Sequence, residues 1–276
     1  MKIIDLSTTL QTNDKSELDS IKIKYFNHKK GGKLLGMGYI LTGNSLLSRF
    51  KNFILYITGY RKVSSKDFLD GIGLAWEKVY LSTHYGTHLD VSYHYAPFLR
   101  GRPSLTIDKV PLAYCFSDGV VLDCREKKAG EEITIEDLEI SLKKINYQLK
   151  PKDIVLIMVV GDKLRDTRKY PFVHPGISPY ALDWLTEKGI KIIGVDSWGL
   201  DRPINLMIKD YLKTKDKNVL WPAHIKGREK EFFHMEKLIN LDKIPIPFGF
   251  KVACFPIKIK NASAGWCRVV ALLEDY

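Results

Sequence analysis

The chain has 276 residues, 45% of them hydrophobic and 11% aromatic, with 20 glycines and 12 prolines, a balance that permits a full buried core and excludes a fibrous or low-complexity chain. Lys and Arg outnumber Asp and Glu by 43 to 32, a formal net charge of +11, but the excess is scattered (Lys29 and Lys30, Lys127 and Lys128, Lys213, Lys215 and Lys217). No nucleic-acid motif accompanies it, so a solvated basic surface is expected and no nucleic-acid partner.

Residues 1–5 lack the long apolar run of a signal peptide, and residues 2–6 alternate weakly, as an edge strand does. Residues 12–70 are polar, then glycine-punctuated, then apolar. Gly36-Met37-Gly38 follows no strand and lacks a third glycine, so it is not a dinucleotide loop. Between Ile40 and Tyr60 the chain is fairly apolar, but Arg49 and Lys51 interrupt it well short of a membrane span. With no CxxC pair among Cys115, Cys124, Cys254 and Cys267, reduced buried thiols are expected. The expected setting is soluble and cytoplasmic, with no membrane partner.

From Trp76 onward the pattern sharpens. Residues 119–123 read as a short apolar strand. Thr134, with Asp137 three residues on, caps a helix whose apolar Ile135, Leu138, Leu142 and Ile145 fall at helical spacing. A buried strand follows at 153–160, ended by Gly161. Ser178 and Pro179 start a second helix, which Gly189 closes before a strand at 190–195. Residues 250–259 and 266–273 are strand-like and are expected to pair across a turn at 261–265. Together these predict a mixed α/β or α+β chain with a substantial sheet, folded as one domain over 1–276 with a divergent segment at about 12–70.

The densest chemistry lies in His84-Tyr85-Gly86-Thr87-His88-Leu89-Asp90-Val91-Ser92-Tyr93-His94, which holds three of the seven histidines and one aspartate. The β-branched Thr83, Thr87 and Val91 favour extended backbone. On a strand, His84, Gly86, His88 and Asp90 share a face, with Gly86 leaving an opening between ligands. Imidazole and carboxylate together suit zinc, with manganese or iron next.

His-x-Gly-Thr-His-x-Asp followed by a histidine four residues later resembles the signature of the cyclase family, which contains bacterial kynurenine formamidases and isatin hydrolases. Ser92 stands where the family usually has proline. The resemblance extends to Pro222-Ala223-His224 and to residues 234–241, which are similar to the family's second histidine and its glutamate segment. It covers roughly residues 74–276, with a weaker match at Asp5-Leu6-Ser7. It implies a swivelling β/β/α fold and a metal site of His84, His88, Asp90, His224 and Glu236. One or two zinc ions are implied per chain, with manganese as the alternative, Asp90 and Glu236 bridging, and His94 as general acid/base rather than ligand. It further implies hydrolysis of a C–N bond in a formamide, amide or lactam by metal-activated water. The alternative is a natural-product cyclase or dehydratase, a lyase using the same site. A homodimer or homotetramer is also implied, with the N-terminal segment wrapping a neighbour or covering the site.

Other residues have two readings each. His234 is a neighbour of the ligands or an ordinary core or surface histidine; His174 in Val173-His174-Pro175-Gly176 is a turn residue or a site residue. Trp198 lines the pocket or packs, and Lys226 and Arg228 hold a substrate carboxylate or are solvated. Family members acting on kynurenine carry an N-terminal tryptophan against the substrate. Residues 8–75 contain none here, Tyr25 and Phe26 being the nearest aromatics, so kynurenine itself is not assigned. No serine nucleophile elbow or phosphate loop is present.

Overall fold

A computed structural model describes residues 1–160 and 164–274; Gly161, the expected end of the strand at 153–160, lies outside the described residues. The chain divides into two compact units, Met1–Ser20 with Ser82–Tyr276, and Ile21–Leu81. Residues 12–20 therefore belong with the larger unit, where Arg165 pairs with Asp14 and Lys237 with Glu17.

The larger unit is built on a nine-stranded sheet. Its order is Lys2–Asp5, Val270–Leu273, Phe248–Ala253, Phe116–Asp123, Ile154–Met158, Ile192–Val195, Phe233–Glu236, His88–Asp90 and Ala264–Trp266. Phe116–Asp123 through Phe233–Glu236 run parallel to one another, and the flanking pairs are antiparallel. Every residue of Ile154–Met158 and Ile192–Val195 is buried, which explains their unbroken branched apolar runs: both faces of these strands are covered. On one face Val155, Ile157, Ile193 and Val195 pack with Leu138 and Leu142 of the Ile135–Lys144 helix and Leu182 and Leu185 of the Pro179–Glu187 helix. On the other, Ile154, Leu156 and Ile192 pack with Phe233, Met235, Phe250 and Val252.

The helix boundaries follow local chemistry. Thr134 and Asp137 form a reciprocal capping box, supplying partners to amide groups that the first turn leaves unpaired. Ser178 accepts from Ala181 N at 3.1 Å, with Pro179 in the first turn. The four cysteines are free and buried.

Two expectations are corrected. Residues 84–90 are not one strand: only His88–Asp90 is extended, and residues 83–87 form a turn. Gly86 has φ +65°, and a Cβ there would meet Leu10 Cδ2 at 2.8 Å. Backbone geometry and close packing therefore require this glycine, rather than an opening between ligands. The expected strand at 266–273 is broken: Trp266 ends a strand Ala264–Trp266 that begins inside the expected turn and pairs with His88–Asp90, and Val270–Leu273 pairs with Phe248–Ala253. The expected hairpin is thus only partly formed, because its returning strand serves two places in the sheet.

The smaller unit has an antiparallel pair, Lys22–Phe26 with Trp76–Tyr80, and the helices His28–Met37 and Leu46–Ile57. Gly31 lets the first helix approach the backbone closely: a Cβ would lie 1.6 Å from Leu74 O. Among the described residues no helix is long and apolar enough to cross a membrane.

Candidate metal centre

Sheet register brings the two halves of the ligand set together. Phe233–Glu236 pairs antiparallel with His88–Asp90, placing His234 opposite Asp90 and Glu236 opposite His88. Residues two apart on a strand share a face, and directly opposed residues are near neighbours. Four side chains therefore converge from two short strands. His84 joins them from the preceding turn, with Nδ1 2.9 Å from Asp90 Oδ1. His224, on the short helix Pro222–Lys226, brings Nε2 to 3.8 Å from Glu236 Oε1.

Two groups of possible ligands result, His84, His88 and Asp90, and Asp90, His224, His234 and Glu236, with donor atoms of each group within 4.8 Å of one another. Asp90 belongs to both. His88 Nε2 and both Asp90 carboxylate oxygens are buried and make no aligned hydrogen bond among the described residues, although neighbouring donor and acceptor atoms lie at 2.9–3.4 Å. Buried polar atoms are ordinarily paired. The unpartnered atoms of His88 and Asp90 gathered around one point fit a cation, and the imidazole and carboxylate set suits a divalent transition metal, although His234 Nε2 and Glu236 Oε1 are in hydrogen-bond contact with each other at 3.0 Å.

The surrounding hydrogen bonds orient the rings. His88 Nδ1 lies 2.8 Å from Gly86 O; a carbonyl only accepts, so Nδ1 carries the proton and Nε2 presents its lone pair to the centre. His224 Nδ1 lies 2.5 Å from Asp201 Oδ2, which fixes the same tautomer. Asp201 also accepts from Ala223 N at 2.7 Å and His224 N at 3.1 Å, tying the backbone of the ligand helix. His234 Nδ1 lies 2.7 Å from Tyr95 Oη, and Leu200 N donates to Glu236 Oε1 at 2.9 Å. Such outer contacts set ligand direction and basicity.

Electrostatics follow from burial and crowding. Burial opposes ionisation of Asp90, yet its histidine neighbours, His88 first, hold it well below the usual carboxylate range. Glu236 is likewise held low against burial, chiefly by His234. Burial works against the His224 cation, but Asp201 overrides it and raises the group to about 9. Burial keeps the Tyr95 phenol neutral, pushing it well above its ordinary value. His94 moves the other way: burial lowers it to about 4, opposed by Asp90 and reinforced by His224, His84 and His234.

His94 lies on the single helical turn Ser92–Tyr95 that follows the ligand strand. The turn swings its ring back, leaving Nε2 3.7 Å from Asp90 Oδ2 and the ring centroid 4.4 Å from that of His84 and 5.3 Å from that of His224. A cavity of about 400 Å³ opens over this group, and His94, His174, Trp198 and Trp221 are among the residues that line it. The structure thus gathers all six residues singled out from sequence, and adds His234 as a possible ligand. His174 reaches the same cavity, with Nδ1 held 2.9 Å from Pro175 O. Lys226 and Arg228 do not line it: Lys226 pairs with Asp183 and Glu229, and Arg228 donates to Tyr95 O.

Asp201, Tyr95, Glu17 and Lys237 were not singled out by the sequence. Glu17 and Lys237 are almost wholly buried and pair at 2.7 Å. Glu17 accepts from Gly86 N at 2.9 Å, and Lys237 donates to His84 O at 2.9 Å. Lys237 follows Glu236 directly and has φ +60°, so this one ion pair ties the His84 turn to the end of the other ligand strand. Glu17→Gln should strand the buried Lys237 charge, lowering stability by about 3 kcal/mol or more and weakening metal retention. Urea unfolding beside metal content per chain checks both; unchanged values would show that the clamp contributes nothing.

The family model described as "Putative cyclase" matches residues 4–202. An isatin hydrolase from Roseibium aggregatum is 25% identical over 222 residues, 77% of this chain and 80% of that protein. A kynurenine formamidase from Erythrobacter litoralis is 24% identical over 190 residues, 69% of this chain and 73% of that protein. Among solved structures, an isatin hydrolase bound to the product analogue thioisatinate superposes with a TM-score of 0.68 at 18% identity, covering 99% of this chain and 93% of that one. Isatin hydrolase A from Ralstonia solanacearum gives 0.66 at 21% identity, covering 99% and 92%. A further solved neighbour is described as a potential metal-dependent hydrolase with cyclase activity, with a TM-score of 0.60 at 15% identity, covering 100% of this chain and 99% of that one.

Proposed function

Since this chain belongs to the cyclase family, we propose that it is a metal-dependent hydrolase opening the C–N bond of a formamide, amide or lactam. The observation that carries the reading is the position of His94 at the cavity, facing both groups of ligands. His84, His88 and Asp90 would hold one cation, and Asp90, His224, His234 and Glu236 a second, with zinc or manganese favoured by the donor set. A cation bound there supplies Lewis acidity toward a carbonyl and acidifies a water to a pKa of roughly 7.

The protein's own groups supply the rest. His94, lowered to about 4 by burial, is neutral near pH 7 and free to accept a proton from the attacking water. It then returns that proton to the departing nitrogen, so one imidazole serves as base and acid in turn. Trp198 and Trp221 are among the residues that line the cavity, and indole side chains there suit a planar or aromatic substrate.

The test is a screen of formamides, lactams and cyclic imides with the metal-loaded protein in ¹⁸O-labelled water. Hydrolysis places one solvent oxygen in the carboxylate product. Turnover without label points instead to cyclisation or dehydration at the same site, and no turnover across the screen counts against the hydrolase reading.

A further inference from the structure

The Leu46–Ile57 helix carries an apolar side that nothing in its own unit, residues 21–81, covers. At 3.6 residues per turn, Leu46, Leu47, Phe50, Phe53, Ile54 and Ile57 fall within an arc of about 120°. All six are exposed, from 39% at Ile54 to 85% at Leu46. Arg49 and Lys51, also exposed, project just beyond the two edges of this arc. The opposite side turns inward: Tyr56 is buried, with its hydroxyl on Val63 O.

Charge decides what covers the face. Residues 21–81 hold eleven Lys and Arg against three Asp and Glu, a formal +8 of the chain's +11, which leaves +3 for the other 215 residues. Lys29, Lys30, Lys33, Arg61, Lys62 and Lys66 are all exposed. A second copy would present either the same +8 segment or a unit of formal +3, neither of which offers this face a complementary net charge. Nucleic acid complements the charge but offers nothing to six large apolar side chains.

We propose that the Leu46–Ile57 helix docks in the surface of an anionic phospholipid bilayer, its apolar arc among the acyl chains and Arg49 and Lys51 at the level of the phosphates. Long cationic side chains lie along apolar surface while their heads stay in the polar layer, and clustered lysines are drawn to anionic headgroups. The helix lies in the interface rather than across it. Arg49 and Lys51, which interrupt a membrane span, are the residues that frame an interfacial face; this departs from the expectation of no membrane partner. The docking is independent of the hydrolase reading.

Flotation of the full-length protein with vesicles tests it. Vesicles of phosphatidylcholine with phosphatidylglycerol should carry the protein, phosphatidylcholine alone much less, and added salt should release it. Phe50→Glu should weaken binding about tenfold or more with unchanged circular dichroism and unchanged metal content. Arg49→Gln with Lys51→Gln removes the flanking charges, together with the Arg49 Nε hydrogen bond to Gly43 O, and should weaken binding even if Phe50→Glu misfolds. Absence of binding to the anionic vesicles overturns the proposal, as does equal binding by wild type and both variants. An oligomer that Phe50→Glu converts to a monomer assigns the face to a second copy. Tight duplex-DNA binding without vesicle binding assigns the charge to nucleic acid.

Discussion

His94→Ala is expected to retain its metal while kcat falls about 10²-fold or more, whereas Asp90→Ala and Glu236→Ala lose metal. The division follows from where each side chain sits. Asp90 is at the centre of both ligand groups, buried, with its two oxygens free of aligned hydrogen bonds. Removing it leaves four imidazoles around one remaining carboxylate, and neither cation keeps its full set of donors. His94 stands off to the side on the Ser92–Tyr95 turn, belongs to neither ligand group and lines the cavity. Its replacement opens space on the substrate side without removing a member of either group. Metal content per chain, measured beside single-turnover kinetics, decides the matter; loss of metal from His94→Ala equal to that from Asp90→Ala would make His94 a ligand.

Asp201→Ala is expected to weaken metal binding about 10- to 100-fold, and at one group of ligands only. Asp201 accepts from the Ala223 and His224 amides and from His224 Nδ1, so it sets both the backbone and the ring of one ligand. Without it three donors lose their partner, and the imidazole is free to rotate or to exchange tautomers. His84, His88 and Asp90 have no contact with this carboxylate among those that orient them. Titration with zinc or manganese should therefore show one site near its original affinity and one weakened. Two unchanged sites would remove Asp201 from the metal centre, and equal loss at both would mean that the two groups act as one.

Much of the centre was legible in the sequence because its chemistry is local. Three histidines and an aspartate within eleven residues are a pattern that residue identity alone displays, whereas His224 and Glu236 were reached through the resemblance of their segments to the cyclase family. The capped helices were legible for the same reason: Thr134 with Asp137, and Ser178 with Pro179, act over three residues or fewer. Where a local preference met a tertiary demand, the reading failed. The branched residues around His84 favoured a strand, but the turn at Gly86 packs against Leu10, and that distant contact sets the backbone.

By itself, then, the sequence determined the class of fold, through composition and short periodicities, and the family, through the resemblance of its motifs. Only the tertiary structure decided which atoms face one another. The pairing of Phe233–Glu236 with His88–Asp90 joins segments more than 140 residues apart and turns His234 from an ambiguous histidine into a member of the cluster. Asp201 reaches His224 across 23 positions, and Glu17 reaches Lys237 across 220. No spacing rule connects such pairs, because burial of the sheet faces brings them together and the low polarity of that interior makes each contact count.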